Sequence, residues 1–190
     1  IYNSDSNYLI RSEDYGIPQK RHRVILLGIR EDITVKPDTL RIADKPITLS
    51  DVIEDLPKIR SSINRSFKSN KIINGKKKRI YRNEIDSDQH WQVLINIFRK
   101  EIISWNGFAK NYSLKAIAAP SNGIGAEFVK YNTPSKDNPL YRWFLDHNLN
   151  GVANHESRSH LVQDLKRYMF SSMFAKTYER FPRLHEYENH

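Results

Sequence analysis

Three polar side chains with the same spacing stand out near the start of the chain. Gln19, Arg21 and Arg23 alternate with Lys20 and His22. Alternate side chains of an extended backbone point to the same side, so one amide and two guanidiniums would line a single surface. Guanidiniums are planar, permanently charged donors suited to phosphate, carboxylate or carbonyl oxygens. The spacing is consistent with a binding surface for such groups. It is equally consistent with an edge strand whose arginines are solvated.

Positive charge is concentrated between residues 58 and 82, which contain ten Lys and Arg and no acidic residue, in a chain of net charge +9. Clustered cations displace counterions from phosphates and give salt-dependent binding to nucleic acid. The stretch is also rich in Ser, Asn and Gly, so we expect a mobile basic loop. A solvated loop without a binding role is the alternative. The candidate nucleic-acid contacts are Lys76, Lys77, Lys78, Arg79 and Arg82.

Composition excludes several classes of chemistry. The 190 residues include no cysteine, which removes disulfides, thiolate metal sites and cysteine nucleophiles. No apolar run approaches about 20 residues, so neither a membrane span nor a signal peptide is expected. The chain starts at Ile1, and its methionines are Met169 and Met173. We therefore expect an excerpt of a longer intracellular protein.

The elements that would position these residues follow from periodicity and capping signals. Val24–Ile29 is apolar on both faces, which predicts a buried strand behind the arginines. A helix is predicted before Pro57, capped by Thr48 or Ser50. A longer helix after Ser87 would bury a stripe formed by Trp91, Leu94, Phe98, Ile102 and Trp105. Further predicted elements are a strand at 127–131, a helix opening at Pro139 and a last helix ending at Pro182.

The pair His155 and His160 raises the question of a metal site. The two histidines are five positions apart, so one helical face does not collect them. A helix start capped by Ser157 or Ser159 is the preferred interpretation, and no metal is expected.

Residues 14–30 resemble, over seventeen consecutive positions, a block of the DNA cytosine-5 methyltransferases. That block has the pattern Gln-x-Arg-x-Arg, preceded by a Tyr-Gly-x-Pro turn and followed by an apolar strand. Residues 48–57 are similar to a Thr-Val-x-x-Ala-Ile-x-Asp-Leu-Pro stretch of the same family. Weaker similarity to one bacterial branch lies in residues 125–129, 138–143 and 154–160.

The resemblance implies a specific chemistry. In this family the target cytosine is flipped out of the duplex, a cysteine adds to its ring, and a methyl group moves from S-adenosylmethionine. On the resemblance, Arg23 would face the carbonyl oxygen of the flipped cytosine. Arg21 would position an acidic partner or the backbone, and Gln19 would fix the loop near the DNA.

Several blocks of the family are absent from the sequence. The cysteine nucleophile loop, a Glu-Asn-Val motif and a glycine-rich cofactor loop are missing, so the chain should be inactive alone and bind no S-adenosylmethionine, which the parent enzyme would use. We expect residues 1–30 to end the catalytic core and residues 31–190 to form a target-recognition region with a basic loop at 58–82. The predicted fold is α+β and mostly helical, with a short β-hairpin or strand pair from the end of an α/β core.

The resemblance also implies partners and a setting. The expected partners are double-stranded DNA, the missing catalytic portion of the same polypeptide and, through an uncovered strand edge, a second copy of the fragment. The expected location is the bacterial cytoplasm, at the nucleoid, with a role in DNA methylation such as restriction-modification. Two alternatives remain open: a stand-alone nucleic-acid-binding module without catalysis, and a structural α+β domain with no DNA role.

Overall fold

The computed structural model describes residues 4–35, 37–105, 112, 115–131, 140–146 and 148–187. The predicted helix start at Pro139 lies outside these residues. The chain divides into two compact units, one formed by residues 1–56 and 131–151 and the other by residues 57–130 and 152–190. Across the described residues, helices of sufficient length and apolarity to span a membrane are not found.

The first unit contains the expected short strand pair. Strand β1 (Ile10–Arg11) runs antiparallel to β2 (His22–Arg23), with Ile10 opposite Arg23. A 3-10 turn at Ser12–Tyr15 follows β1 and ends at Gly16, whose φ of 76° suits glycine. This pair frames the segment that carries Gln19 and Arg21.

Two helices also belong to the first unit. Helix α1 (Leu49–Ile53) begins at Thr48, which forms a capping box with Asp51 and confirms the predicted cap. Helix α3 (Tyr141–Phe144) is a single turn.

The prediction of a buried strand at Val24–Ile29 is wrong. These residues have no regular secondary structure, and their apolar side chains are exposed, Leu26 to 93%. A strand that is apolar on both faces needs neighbouring strands and covering layers. No other described segment pairs with this run, so its side chains remain exposed to solvent.

The basic segment forms the largest β structure of the second unit, so the prediction of a mobile loop is wrong. Strand β3 (Ser62–Ile73) pairs antiparallel with β4 (Lys76–Asn83). The two-residue turn Asn74-Gly75 has φ values of 52° and 71°, as a hairpin turn of this sequence requires. β-Branched isoleucines on both sides of the turn favour strands over a loop.

Two long helices pack behind this hairpin. Helix α2 (Asp88–Ser104) begins at the N-cap Ser87, as predicted, and α4 (Val162–Tyr178) packs against it. The helices and the hairpin bury two apolar clusters. Their buried members are Ile102, Ile103, Phe170, Met173 and Phe174 in one, and Ile63, Ile95, Phe98 and Leu165 in the other.

The start of the last helix differs from the prediction. Residues 151–161 form β6 (Gly151–Glu156) and β7 (Ser159–Leu161), and α4 begins after Leu161 without a side-chain cap. Ser157 and Ser159 are therefore not helix caps. The Ser157 hydroxyl instead accepts a hydrogen bond from the Ser62 backbone N–H at 3.0 Å, beside the parallel pairing of β7 with β3.

Strand β5 (Gly125–Lys130) pairs with β6 and agrees with the strand predicted at 127–131. Gly125 approaches the His155 carbonyl so closely that an added Cβ would lie 2.0 Å from its oxygen. The described residues are thus a mixture of helices and small sheets, and the expectation of a mostly helical fold is not confirmed. Strands replace the expected helix start and loop.

Candidate nucleic-acid interface

Hydrogen bonds to the hydroxyl of Ser12 hold the segment that carries Gln19 and Arg21. Ser12 is buried, and its Oγ donates to the Gln19 carbonyl at 2.5 Å and accepts from the Arg21 backbone N–H at 2.9 Å. Nearby, His22 Nε2 lies 2.8 Å from Glu13 Oε1. This hydrogen bond lowers the pKa of Glu13. The connection between β1 and β2 is therefore held by contacts from two adjacent residues, Ser12 and Glu13.

The side chains of Gln19, Arg21 and Arg23 are all exposed. Regular strand begins only at His22, because Gln19 N donates to the Ile17 carbonyl and Arg21 N donates to the Gln19 carbonyl. Alternation along an extended chain therefore does not by itself place Gln19 beside Arg23. The Arg23 guanidinium donates to the His22 carbonyl at 2.7 Å.

The register of the hairpin sorts its residues onto two faces, because directly opposed residues of an antiparallel pair share a face. We call one the outer face; its cations are Lys71, Lys76, Lys78 and Arg82. We call the other the groove face; it carries Arg65, Phe67, Asn70, Ile72, Lys77, Arg79 and Tyr81. The run of residues 76–79 is thereby divided between the two faces.

The groove face looks onto the first turns of α4. Between them lies a groove of about 540 Å³ lined by Gln163, Asp164 and Arg167 from the helix. Phe67 and Tyr81 pack edge to face at 6.4 Å, and the Arg65 guanidinium lies 5.3 Å from the Tyr81 ring. Much of this face is thus engaged in contacts within the protein.

The cations of the outer face differ in their partners. Arg82 donates to Glu84 at 2.8 Å, and the hydrogen bond from Ser66 together with Arg82 holds the pKa of Glu84 below its ordinary value. Arg82 is therefore neutralised, unlike the neighbouring lysines. Lys71 lies directly opposite Lys78, and for Lys71, Lys76 and Lys78 no ion pair is found within the described part of the chain.

A buried arginine at the base of the hairpin escaped the sequence reasoning. Arg60 is only 6% exposed; it donates to Asp86 at 2.6 Å and also to Asp88, and Ser62 donates to Asp86 at 2.7 Å. Burial opposes ionisation of Asp86, but the bonds from Ser62 and Arg60 prevail and lower its pKa. Asp86 and Asp88, on either side of the Ser87 cap, were the sequence signal that could have indicated partners for a buried arginine. Arg60 therefore belongs to a structural network, although it lies in the basic run.

The two histidines considered for a metal site lie in different surroundings. His155 Nε2 is 2.7 Å from the Pro57 carbonyl oxygen, whereas the His160 ring packs edge to face with Tyr168 at 5.3 Å. Among the described residues, no group of three or more potential ligands is placed to hold a metal ion.

Comparisons with known proteins point to one family. The family model described as C-5 cytosine-specific DNA methylase matches residues 2–181. "Type II methyltransferase M.MthTI" of Methanothermobacter thermautotrophicus is 36% identical over 58 residues, which are 30% of this chain and 18% of that protein. "Type II methyltransferase M.BbvI" of Brevibacillus brevis is 33% identical over 66 residues, 34% of this chain and 17% of that protein. The aligned stretches thus span less than a fifth of either relative. No solved structure matches the chain significantly.

Proposed function

Because the chain belongs to the C-5 cytosine-specific DNA methylase family, we propose that it is the DNA-recognition part of an enzyme that methylates cytosine at C5. The methyl donor in this proposal is S-adenosylmethionine. The observation that carries the recognition role is the β3–β4 hairpin, which brings eight of the ten basic residues of 58–82 into one exposed ribbon. The substrate is double-stranded DNA.

The shape and charge of the hairpin suit this partner. A two-stranded ribbon is narrow enough to enter the major groove, and cations along it replace counterions on the phosphates. Residues 58–82 contribute ten positive charges and no carboxylate. We assign contact with the phosphates to Lys76, Lys77, Lys78 and Arg79 as a group, and a lesser role to Arg82, whose charge Glu84 offsets.

The segment from Gln19 to Arg23 would meet the flipped base. A cytosine inside the duplex is out of reach of ring chemistry, so it must leave the stack. In this proposal Arg23 donates to the cytosine carbonyl oxygen, Arg21 holds an acidic partner, and Gln19 keeps the segment near the DNA. Support comes from the exposed guanidinium groups and from the Ser12 bonds that hold the backbone behind them.

The reacting groups would come from another portion of the same polypeptide. This chain contains no cysteine, so it cannot supply the thiolate that adds to the ring. Its own residues bind and orient the DNA and the base. With S-adenosylmethionine and DNA alone, we therefore expect no methyl transfer by the 190-residue chain.

The recognition role is tested by fluorescence anisotropy with a short labelled duplex at low and moderate salt. Wild type is compared with a variant in which Lys76, Lys77, Lys78 and Arg79 are all changed to Ala. Loss of the phosphate contacts made by this group should lower the affinity at about 50 mM salt on the order of 100-fold and flatten its salt dependence.

A charge-matched control separates local contact from overall charge. It changes four exposed lysines outside the hairpin, Lys45, Lys100, Lys130 and Lys176, to Ala. This control should keep most of the affinity. Absence of binding by wild type, or equal weakening by the two quadruple variants, would overturn the recognition role.

A further inference from the structure

The four cations of residues 76–79 are neighbours in sequence but project from opposite sides of the hairpin. If net charge alone governed binding, each of them would contribute equally. The structure distinguishes them by face: Lys78 lies opposite Lys71 with Lys76 on the same side, whereas Lys77 and Arg79 line the groove. We propose that Lys71, Lys76 and Lys78 of the outer face form the phosphate-binding patch, and that Lys77 and Arg79 contribute little. This inference rests on the proposed function, since it assigns the DNA to one face of the hairpin.

Repulsion within the outer face is the first argument. Lys71 is directly opposite Lys78, and Lys76 lies two positions from Lys78 on the same face. Directly opposed side chains have Cβ atoms about 5 Å apart, and like charges at that separation destabilise a hairpin. Residues 58–82 include no carboxylate to offset them. Phosphates placed over this face would turn the repulsion into attraction.

The groove face has no pair of cations directly opposed across the strands. Lys77 lies opposite Ile72 and Arg79 opposite Asn70, so neither cation faces a like charge across the strands. A carboxylate is also present in the groove, because Asp164 lines it and accepts from Arg167 at 3.2 Å. Because Arg167 lines the groove as well, this ion pair adds no net charge to that of Lys77 and Arg79.

Access is the second argument. Helix α4 lies across the groove face and leaves a groove of about 540 Å³. Lys71, Lys76 and Lys78 are exposed on the opposite side of the ribbon. A duplex can approach the outer face without meeting α4, whereas Lys77 and Arg79, although also exposed, line the groove beside this helix.

Matched double variants test the assignment with the 190-residue chain and a short labelled duplex. One variant changes Lys76 and Lys78 to Ala, and the other changes Lys77 and Arg79 to Ala. Each removes two charges from neighbouring positions of the same strand. We expect the outer-face variant to reduce the slope of log affinity against log salt by about 2, and the groove-face variant to change it by less than about 0.5.

The outcomes separate the two proposals. Equal changes in slope, or a larger change in the groove-face variant, would overturn the face assignment while leaving DNA recognition intact. If wild type itself failed to bind the duplex, the recognition role would fall and the face assignment with it. Circular dichroism of both variants checks that the hairpin and helices are retained.

A measurement without DNA tests the repulsion directly. Lys78→Gln removes the charge opposite Lys71, so it should raise the Tm at low salt, and the gain should vanish at high salt. Lys77→Gln, opposite Ile72, is the matched control and should leave the Tm unchanged. The same Lys78→Gln should weaken DNA binding. An unchanged or lowered Tm for Lys78→Gln would remove the electrostatic basis of the proposal.

Discussion

One buried hydroxyl holds the segment from which Gln19 and Arg21 project. Ser12 bonds both the Gln19 carbonyl and the Arg21 N–H, two backbone groups that lie outside regular secondary structure. These two groups also pair with each other, since the Arg21 N–H donates to the Gln19 carbonyl at 3.0 Å, and Ser12 ties this short turn to the end of β1. The exposed side chains of the motif are thus supported by a residue that the motif itself does not include.

Ser12→Ala should loosen this segment without unfolding the chain. Loss of the two hydrogen bonds should cost about 1 kcal/mol, a modest figure because the Arg21 N–H keeps its bond to the Gln19 carbonyl. Hydrogen exchange of the Arg21 amide should accelerate, while the amides of α2 keep their protection. Ser121→Ala, at an exposed serine, is the control. Unchanged exchange at Arg21 would contradict the role of Ser12.

The Asp86 carboxylate makes a pH-dependent contribution to stability. Its folded-state pKa lies below the ordinary value of 3.8, because the bonds from Ser62 and Arg60 outweigh its burial. A lowered pKa stabilises the fold above the ordinary value, and this stabilisation is lost as the pH falls through the folded-state pKa.

Asp86→Asn should therefore lower the free energy of unfolding by about 1 kcal/mol at neutral pH, a modest figure because the carboxylate is partly solvated. The difference from wild type should shrink below pH 3.8. Urea unfolding at neutral and acid pH measures it. Glu127→Gln, at an exposed position, is the control. A difference that persists unchanged at acid pH would contradict the assignment.

At the scale of elements, the hairpin depends on its turn. Asn74 and Gly75 both adopt positive φ, the geometry that matches the twist of the flanking strands. Asparagine tolerates this conformation, and glycine adopts it without a Cβ penalty. The register that divides the cations between two faces follows from this turn.

Gly75→Ala should destabilise the hairpin by about 1 kcal/mol, because a Cβ is disfavoured at φ 71° although nothing lies within 4 Å of its position. Gly28→Ala is a matched control, since Gly28 has equally open space and no positive φ. The effect should be measured by hydrogen exchange of the β4 amides and by thermal unfolding. Equal effects of the two substitutions would show that turn geometry does not limit hairpin stability.

At the scale of the whole molecule, the apolar run after β2 exposes four consecutive apolar side chains to solvent. Val24, Ile25, Leu26 and Leu27 are each more than half exposed, although their sequence is typical of a covered strand. Exposed contiguous apolar residues mark a surface that another chain or segment covers. We propose that the catalytic portion of the same polypeptide covers it, and that a second copy does so in its absence.

The isolated chain should then self-associate in a concentration-dependent way. Leu26→Ser combined with Leu27→Ser should shift it toward the monomer, because the apolar area that drives association is reduced. Light scattering during size-exclusion chromatography measures the change. Ile42→Ser combined with Ile85→Ser is the control, since both residues are more than 70% exposed elsewhere in the chain. A monomeric wild type at all concentrations would contradict the prediction.

The sequence alone determined the features that depend on neighbouring residues. The spacing of Gln19, Arg21 and Arg23 led to the family, which the comparison over residues 2–181 then showed. The helical period after Ser87 predicted α2, because a helix is built from contacts three and four residues apart. The cap at Thr48 was predictable for the same reason.

Tertiary structure decided what depends on distant segments. Ser157 and Ser159 have the residue type of helix caps, yet their hydroxyls bond Ser62, almost a hundred positions earlier in the chain. Strands need pairing partners, and β3 gains a distant one in β7 beside its local partner β4. The apolar run at Val24–Ile29 has no strand partner among the described residues and forms no strand. The positive charge of the basic segment could be predicted from its composition. Its division between two faces arose only from strand register, because register sets the side on which every residue projects.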